Sequence, residues 1–298
     1  MITIHPKEVT TAQLQAYLQG AVAPRPIAFA STIDGDGKPN LSPFSFFNLF
    51  SANPPVMVFS PSRRVRDNTT KHTLENVLAT KEVVINVVNY PMVQQTSLAS
   101  TEYGDGVNEF IKAGFTMLES TLVKPFRVKE SPVQFECKVL DVVSLGTEGG
   151  AGNLIICEVL AMHIDEAVLA PGGKSIDQDK IQLVARLGGN WYSKAFGEAL
   201  FEVEKPLTTL GIGVDQIPAD IRNSQVLTGN NLGQLGNVEN LPDETEVNEF
   251  KLTELSDIFL AFQDNAVILE KKLHEKAKEY LSQGLVAEAW KTLLAFNN

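Results

Sequence analysis

The hydrophobic pattern of residues 1–200 is that of short strands separated by turns. Apolar and β-branched runs are bounded by clusters of Gly, Pro and Asn, which is typical of sheet rather than helix. Strands outnumber helices and do not alternate regularly with them, so the pattern predicts a mainly β, antiparallel barrel with a few helices. The predicted strands are 27–32, 56–60, 83–88, 133–145 and 154–164.

Glycine-rich segments and short helical periodicities connect these strands. The sequence Asp-Gly-Asp-Gly at 34–37 predicts a turn between two strands, and the glycines of 146–152 predict the tip of a hairpin between the two longest ones. Helical spacing predicts a helix at 73–79, where three apolar side chains share one face, and another around 94–99.

A different pattern begins beyond residue 205. Segment 207–241 is rich in Gly, Asn, Pro and Asp and lacks periodicity, which predicts an irregular surface segment. Apolar residues then recur at helical spacing from 255 to 281, and Gly284 predicts a break before a last helix at 285–296. This helical tail could pack on its own barrel, on a partner subunit or on another protein.

The distribution of charge places a boundary near Pro206. The chain has 298 residues and a net charge of −11, and beyond residue 200 its acidic residues are twice as numerous as its basic ones. We therefore predict two domains, 1–205 and 206–298. An acidic chain lacks the basic surface that nucleic-acid binding needs, so no nucleic-acid partner is expected.

Composition argues against a membrane, a disulfide framework and a metal site. No apolar run approaches the roughly 20 residues of a membrane span, and the N-terminus does not resemble a signal peptide, so we expect a cytoplasmic protein. Cys137 and Cys157 are predicted to be small buried residues of strands. The histidines are too scattered for a metal motif and are predicted to be structural or solvated; they are His5, His72, His163 and His274.

Two segments carry candidate binding chemistry. Segment 60–73 concentrates four cations and several hydroxyls before a predicted helix, which suits a phosphate, although a solvated basic loop is the alternative. Segment 40–48 combines aromatic and small polar residues, which suits a flat heterocycle. Taken alone, it could equally be a strand with a buried aromatic face.

Four segments, taken in order, carry a resemblance to a known family. They are 25–48, which begins Arg-Pro-Ile-Ala-Phe-Ala-Ser-Thr, then 53–60, 71–76 and 82–88. Together they resemble the flavin reductase-like, FMN-binding split-barrel family, which includes flavoredoxins and the small reductase components of two-component monooxygenases. The resemblance covers roughly residues 20–195 and leaves 201–298 outside.

The resemblance implies a homodimeric split β-barrel with FMN near the subunit interface. It places these residues along the isoalloxazine: Ser42, Pro43, Ser45, Phe46 and Asn48, with Ser31 and Thr32 nearby. It assigns the phosphate to Ser60, Arg63, Arg64, Lys71 and Thr73. A late segment that approaches the flavin or closes its pocket contains Arg186, Trp191 and Tyr192.

The implied function is that of an NAD(P)H-dependent flavin reductase. Flavin carries the redox chemistry, so no catalytic side chain is required, and the electrons pass to a free flavin, a quinone-like molecule or a protein. The alternative is a flavoredoxin-like electron-transfer protein without a nicotinamide site, and a third is an interaction module in the acidic tail. His72 stands where the family often has Asp, which predicts either a pH-dependent phosphate affinity or a histidine that only caps or packs.

Overall fold

The computed structural model describes residues 1–104, 106–203 and 205–297. The chain forms two compact units, Met1–Phe201 and Glu202–Asn298. The division falls a few residues before Pro206, where the charge distribution placed the boundary. Each unit has its own hydrophobic core.

A seven-stranded antiparallel sheet organises the first unit, in the strand order β2-β1-β5-β8-β9-β4-β3. Two strand pairs, β6 with β7 and β10 with β11, stand apart from it. All five predicted strands are confirmed to within one residue at either end. The strands are β1 Ala28–Ile33, β2 Pro39–Phe44, β3 Phe47–Ala52, β4 Pro55–Phe59, β5 Glu82–Val87, β6 Met117–Leu118, β7 Arg127–Val128, β8 Val133–Ser144, β9 Asn153–Ile164, β10 Val184–Arg186 and β11 Tyr192–Lys194.

Within the described residues of the first unit, five α-helices accompany the sheet. Both predicted helices are confirmed as α2 and α3, but the predicted apolar face of α2 is too wide, because Leu78 is exposed whereas Leu74 and Val77 are buried in the core. The helix packs against β1, where Leu74 and Val77 enter the apolar core and Asn76 donates a hydrogen bond to Thr32 Oγ1 at 3.0 Å. The helices are α1 Thr11–Ala21, α2 His72–Thr80, α3 Val93–Leu98, α4 Glu109–Ala113 and α5 Gln178–Ile181.

Hydrophobic clusters cover both faces of β1. Ala28 and Ala30 belong to one cluster, which also holds Cys137 and Cys157 as small buried residues of strands, as predicted. Phe29 points into a second cluster on the other face. Because side chains alternate along a strand, every residue of β1 is buried, and its polar residues must find partners inside the protein.

The described residues of the second unit form helices and no strand, and here the prediction for 207–241 differs from the structure. That segment forms two short helices and buries Ile217, Ile221 and Leu235. The apolar residues are spaced singly among Gly and Asn in helices too short for a periodic pattern, so sequence periodicity missed them. The helices are α6 Ala219–Arg222, α7 Gly229–Leu235, α8 Glu244–Glu254, α9 Ser256–Phe262, α10 Ala266–Ser282 and α11 Val286–Leu294.

The predicted helical tail and its break are confirmed. Gly284 adopts a φ of +76°, a left-handed conformation that glycine tolerates and that ends the helical run between α10 and α11. Trp290 on α11 is buried and donates its indole N–H to the Leu235 carbonyl at 3.0 Å, which joins α11 to α7. Among the described residues, no helix is both long and apolar enough to cross a membrane.

Candidate flavin site

A small cleft lies where β2 meets the beginning of α2, and we call it the α2 cleft. It brings together four of the residues predicted to contact the cofactor, Ser42, Arg64, Lys71 and Thr73. His72 lines it too, together with Asn40, the segment Ala99–Tyr103 and Glu109. The fold therefore assembles one end of the predicted site from a strand, a helix start and a loop.

A hydrogen-bond network fixes the floor of this cleft. The Thr73 hydroxyl donates to Asn40 Oδ1 at 2.8 Å, and Asn40 Nδ2 donates to Glu109 Oε1 at 3.2 Å. Glu109 Oε2 accepts the backbone N–H of Leu41 at 3.0 Å. The network joins α2, β2 and α4, so the positions of the cleft residues are set before any ligand arrives.

Sequence analysis missed Glu109, which is almost fully buried beside the cations. Burial raises the pKa of its carboxyl above the ordinary value, while hydrogen bonds from Leu41 and Asn40 and the nearby His72 act in the opposite direction. Glu109 lies in no recognisable motif, and its partner Asn40 is distant in the chain. No signal in the sequence connects the two residues.

Lys71 is the cation of the cleft that retains hydrogen-bonding capacity. Its side chain is half-buried, and within the described residues its ammonium makes no hydrogen bond and no ion pair. Burial lowers the pKa of Lys71, and the charge of Arg64 lowers it further, although Glu102 opposes this. An anion in the cleft would supply the hydrogen-bond partner that this ammonium lacks.

The arginines of the basic loop are largely occupied within the protein. Arg63 donates from Nε to Asn68 Oδ1 at 2.6 Å and from Nη2 to the Asn68 carbonyl at 2.5 Å, and it does not line the cleft. Arg64 pairs with Glu102 at 2.9 Å and donates to the Thr69 hydroxyl at 2.7 Å. The local excess of positive charge is therefore smaller than the loop sequence indicates.

Two hydroxyls on β1 were predicted to lie near the cofactor. Thr32 Oγ1 accepts a hydrogen bond from Asn76 Nδ2 at 3.0 Å, so it is already satisfied. Ser31 Oγ is buried without a hydrogen-bond partner among the described residues. An orphaned buried hydroxyl costs roughly 1–3 kcal/mol, and such groups are uncommon outside functional sites.

The segment predicted to line the isoalloxazine runs along β2 into β3. Ser42 and Pro43 are half-buried on β2, whereas Phe46 and Asn48 are exposed at the turn and on β3. A buried arginine that sequence analysis did not single out, Arg25, donates from Nε toward Ser45 Oγ at 3.5 Å. Its Nη2 donates to the Leu187 carbonyl at 2.9 Å, which ties this segment to the chain before β11.

Ser60 and the late aromatic segment lie elsewhere. Ser60 Oγ is buried and accepts the backbone N–H of Asn153 at 3.1 Å, so it joins the end of β4 to β9 rather than facing the α2 cleft. Arg186 and Tyr192 line a second cavity, of about 380 Å³. Trp191 is 75% exposed and lines neither cavity. The described residues contain no cluster of metal-ligating side chains.

Comparison with solved structures identifies the fold of the first unit. Solved structures with the same fold include the nitrilotriacetate monooxygenase component B of Bacillus cereus, 29% identical, with a TM-score of 0.63 over 68% of this chain and 98% of that one. Another is a protein of Shewanella frigidimarina named as a flavin reductase with a split barrel domain, with 24% identity and a TM-score of 0.58 over 69% of this chain and all of that one. The fold is therefore the predicted split β-barrel.

Sequence relatives show the same division of the chain. An uncharacterized protein of Aquifex aeolicus is 40% identical over 197 residues, which are 66% of this chain and 97% of that protein. About a third of this chain thus has no counterpart in that relative. The family model for the flavin reductase like domain matches residues 21–175. The chain belongs to the flavin reductase-like domain family.

Proposed function

We propose that this chain binds FMN and uses it to oxidise NADH or NADPH. The observation that carries the proposal is the ammonium of the half-buried Lys71, which has no hydrogen-bond or ion-pair partner among the described residues, in a cleft lined by Ser42, Thr73 and Arg64. The membership of the family and the similarity to a monooxygenase component B support the same conclusion.

The protein's own contribution to this reaction is binding and orientation. Lys71 and Arg64 would neutralise the phosphate. The hydroxyl of Thr73 already donates to Asn40, so its contribution is to order the floor of the cleft beneath these cations. The half-buried residues Ser42 and Pro43 hold the ring system against β2. A bound FMN would supply the redox chemistry, hydride acceptance from the reduced nicotinamide and electron transfer to an acceptor, while these residues would bind and orient it.

The first test is a titration of the purified full-length chain with FMN. Saturable quenching of FMN fluorescence at about one FMN per subunit is expected, because the cleft offers Lys71, Arg64 and the hydroxyl of Ser42 to one phosphate. Anaerobic addition of NADH and of NADPH should then bleach the flavin absorbance. Absence of saturable quenching would contradict FMN binding, whereas binding without bleaching would favour the electron-transfer alternative.

We further propose that the first unit forms a homodimer. On the edge strand β3, Leu49 is 60% exposed and Phe50 68% exposed, beside the exposed Phe46. An apolar edge strand invites pairing unless something covers it. Sedimentation equilibrium should give twice the chain mass, and replacement of Leu49 and Phe50 with Lys should shift it to the monomer. A monomeric wild-type chain would contradict the dimer.

A further inference from the structure

The second cavity of the first unit, which we call the α3 cavity, has a composition suited to an anionic nucleotide. It has a volume of about 380 Å³, within the range of small-molecule sites. One wall is α3, which contributes Gln94, and the other is the β10–β11 pair, which contributes Arg186 and Lys194. Two aromatic side chains, Tyr90 and Tyr192, also line the cavity.

Its two cations are held over aromatic rings and have no carboxylate partner. Lys194 Nζ lies 4.6 Å from the centroid of the Tyr90 ring, and the Arg186 guanidinium lies 4.6 Å from that of Tyr192. Among the described residues, neither cation forms an ion pair. A ring face attracts a cation without neutralising it, so the cavity carries uncompensated positive charge in a protein whose net charge is −11.

The charge of Arg186 also acts on the pKa of the neighbouring Arg25. Burial lowers the pKa of Arg25, and the charge of Arg186 lowers it further. The two arginines are neighbours because the backbone N–H of each donates to the carbonyl of the other, both at 2.9 Å. Both guanidinium groups donate hydrogen bonds to neutral acceptors, and among the described residues neither forms an ion pair, so two positive charges lie close together without a carboxylate and favour a bound anion.

The α3 cavity also lies beside the segment proposed to hold the isoalloxazine. Arg25 forms a backbone bridge to Arg186 on one side and reaches Ser45 with its side chain on the other. Arg25 therefore links the Arg186 wall of the cavity to Ser45 of the proposed ring site. The α2 cleft, with Lys71, has a separate lining.

We infer that the α3 cavity binds the diphosphate of the nucleotide electron donor, with Lys194 and Arg186 as its phosphate ligands. This inference rests on the proposed function, and it separates two anion sites: Lys71 for the phosphate of the flavin, and Lys194 with Arg186 for that of the donor. The tyrosine rings offer apolar faces to the adenosine, while the nicotinamide extends toward Ser45.

ADP-ribose tests this assignment, because it carries the adenosine and diphosphate of the donor but no redox-active ring. Its dissociation constant is measured by calorimetry on the full chain, for the wild type, Lys194→Ala and Arg186→Ala. Loss of one charge-assisted hydrogen bond should weaken ADP-ribose roughly tenfold or more in each variant, and Lys194→Arg should restore most of the affinity. The matched control is Lys174→Ala, which removes an exposed lysine of the same unit that does not line the cavity.

A parallel FMN titration separates this inference from the proposed function. The Lys194→Ala variant should bind FMN as the wild type does. The assignment is overturned if Lys194→Ala weakens the binding of FMN but not that of ADP-ribose. It is overturned too if ADP-ribose binds all five proteins equally, or binds none of them. If ADP-ribose binds through Lys194 and Arg186 while FMN does not bind, the nucleotide site is supported and the flavin reductase proposal fails.

Discussion

Replacement of Lys71 with Met is expected to raise the dissociation constant of FMN by roughly tenfold to a hundredfold, the effect of losing one charge-assisted hydrogen bond. Riboflavin, which lacks the phosphate, should bind the variant and the wild type alike. Methionine retains an apolar stem in the half-buried position, so the fold should be preserved. Fluorescence quenching with both flavins measures the two affinities.

The control for Lys71 is Arg66, another cation of the same loop. Arg66 is exposed and already paired with Asp67 at 3.1 Å and with Glu102 at 2.7 Å, so Arg66→Ala should change FMN affinity little. If both variants lower the affinity for FMN equally, the loop acts through its total charge and not through a direct contact of Lys71 with the phosphate. If Lys71→Met lowers the affinity for riboflavin as much as the affinity for FMN, the phosphate lies elsewhere.

Replacement of Glu136 with Gln is expected to lower the free energy of unfolding by about 2–3 kcal/mol at neutral pH. Glu136 on β8 is fully buried and accepts the backbone N–H groups of Thr121 at 2.8 Å, Leu122 at 2.6 Å and Val123 at 3.2 Å. His163 Nε2 lies 2.7 Å from the same carboxylate. The amide of Gln would direct its own N–H group toward these backbone N–H donors, and at least one of the donors would be left without an acceptor.

The pH dependence follows from the shifted pKa of Glu136. Burial raises this pKa, but the hydrogen bonds from Thr121, Leu122 and His163 outweigh burial and bring it down to about 2. The unfolded value is about 4.3, so the carboxylate's stabilisation is fully present above that pH and is lost as pH falls toward 2. The free energy of unfolding of Glu136→Gln should therefore fall less steeply with decreasing pH than that of the wild type.

Urea unfolding at several pH values between about 3 and 7 measures both effects on Glu136. The matched control is Glu158→Gln, which alters a half-buried carboxylate on the neighbouring strand β9. The control should keep wild-type stability within about 0.5 kcal/mol. Unfolding free energies that are equal for the wild type and Glu136→Gln across this range would show that the three backbone donors do not depend on the carboxylate.

Five of the eleven strands found in the described residues could be placed from the sequence, because each of the five is specified locally. The β-branched runs at 83–88 and 154–164 and the glycines of 146–152 specify strand and turn within a few residues. The α10–α11 break at Gly284 is equally local. The short helices of 207–241 were missed because their burial comes from contacts with α10 and α11, which periodicity in a short segment does not reveal.

Membership of the flavin reductase-like family and the segments that carry the candidate site follow from the amino-acid sequence alone, since motifs such as 25–48 and 71–76 are contiguous. The tertiary structure decided which charges at the site are paired with each other. Glu102, far along the chain, pairs with Arg64, and Glu109 enters the floor of the α2 cleft through Asn40. Ion pairs and hydrogen bonds between distant residues exist only after the chain has folded, so the unpaired cations Lys71 and Lys194 could be recognised only in three dimensions.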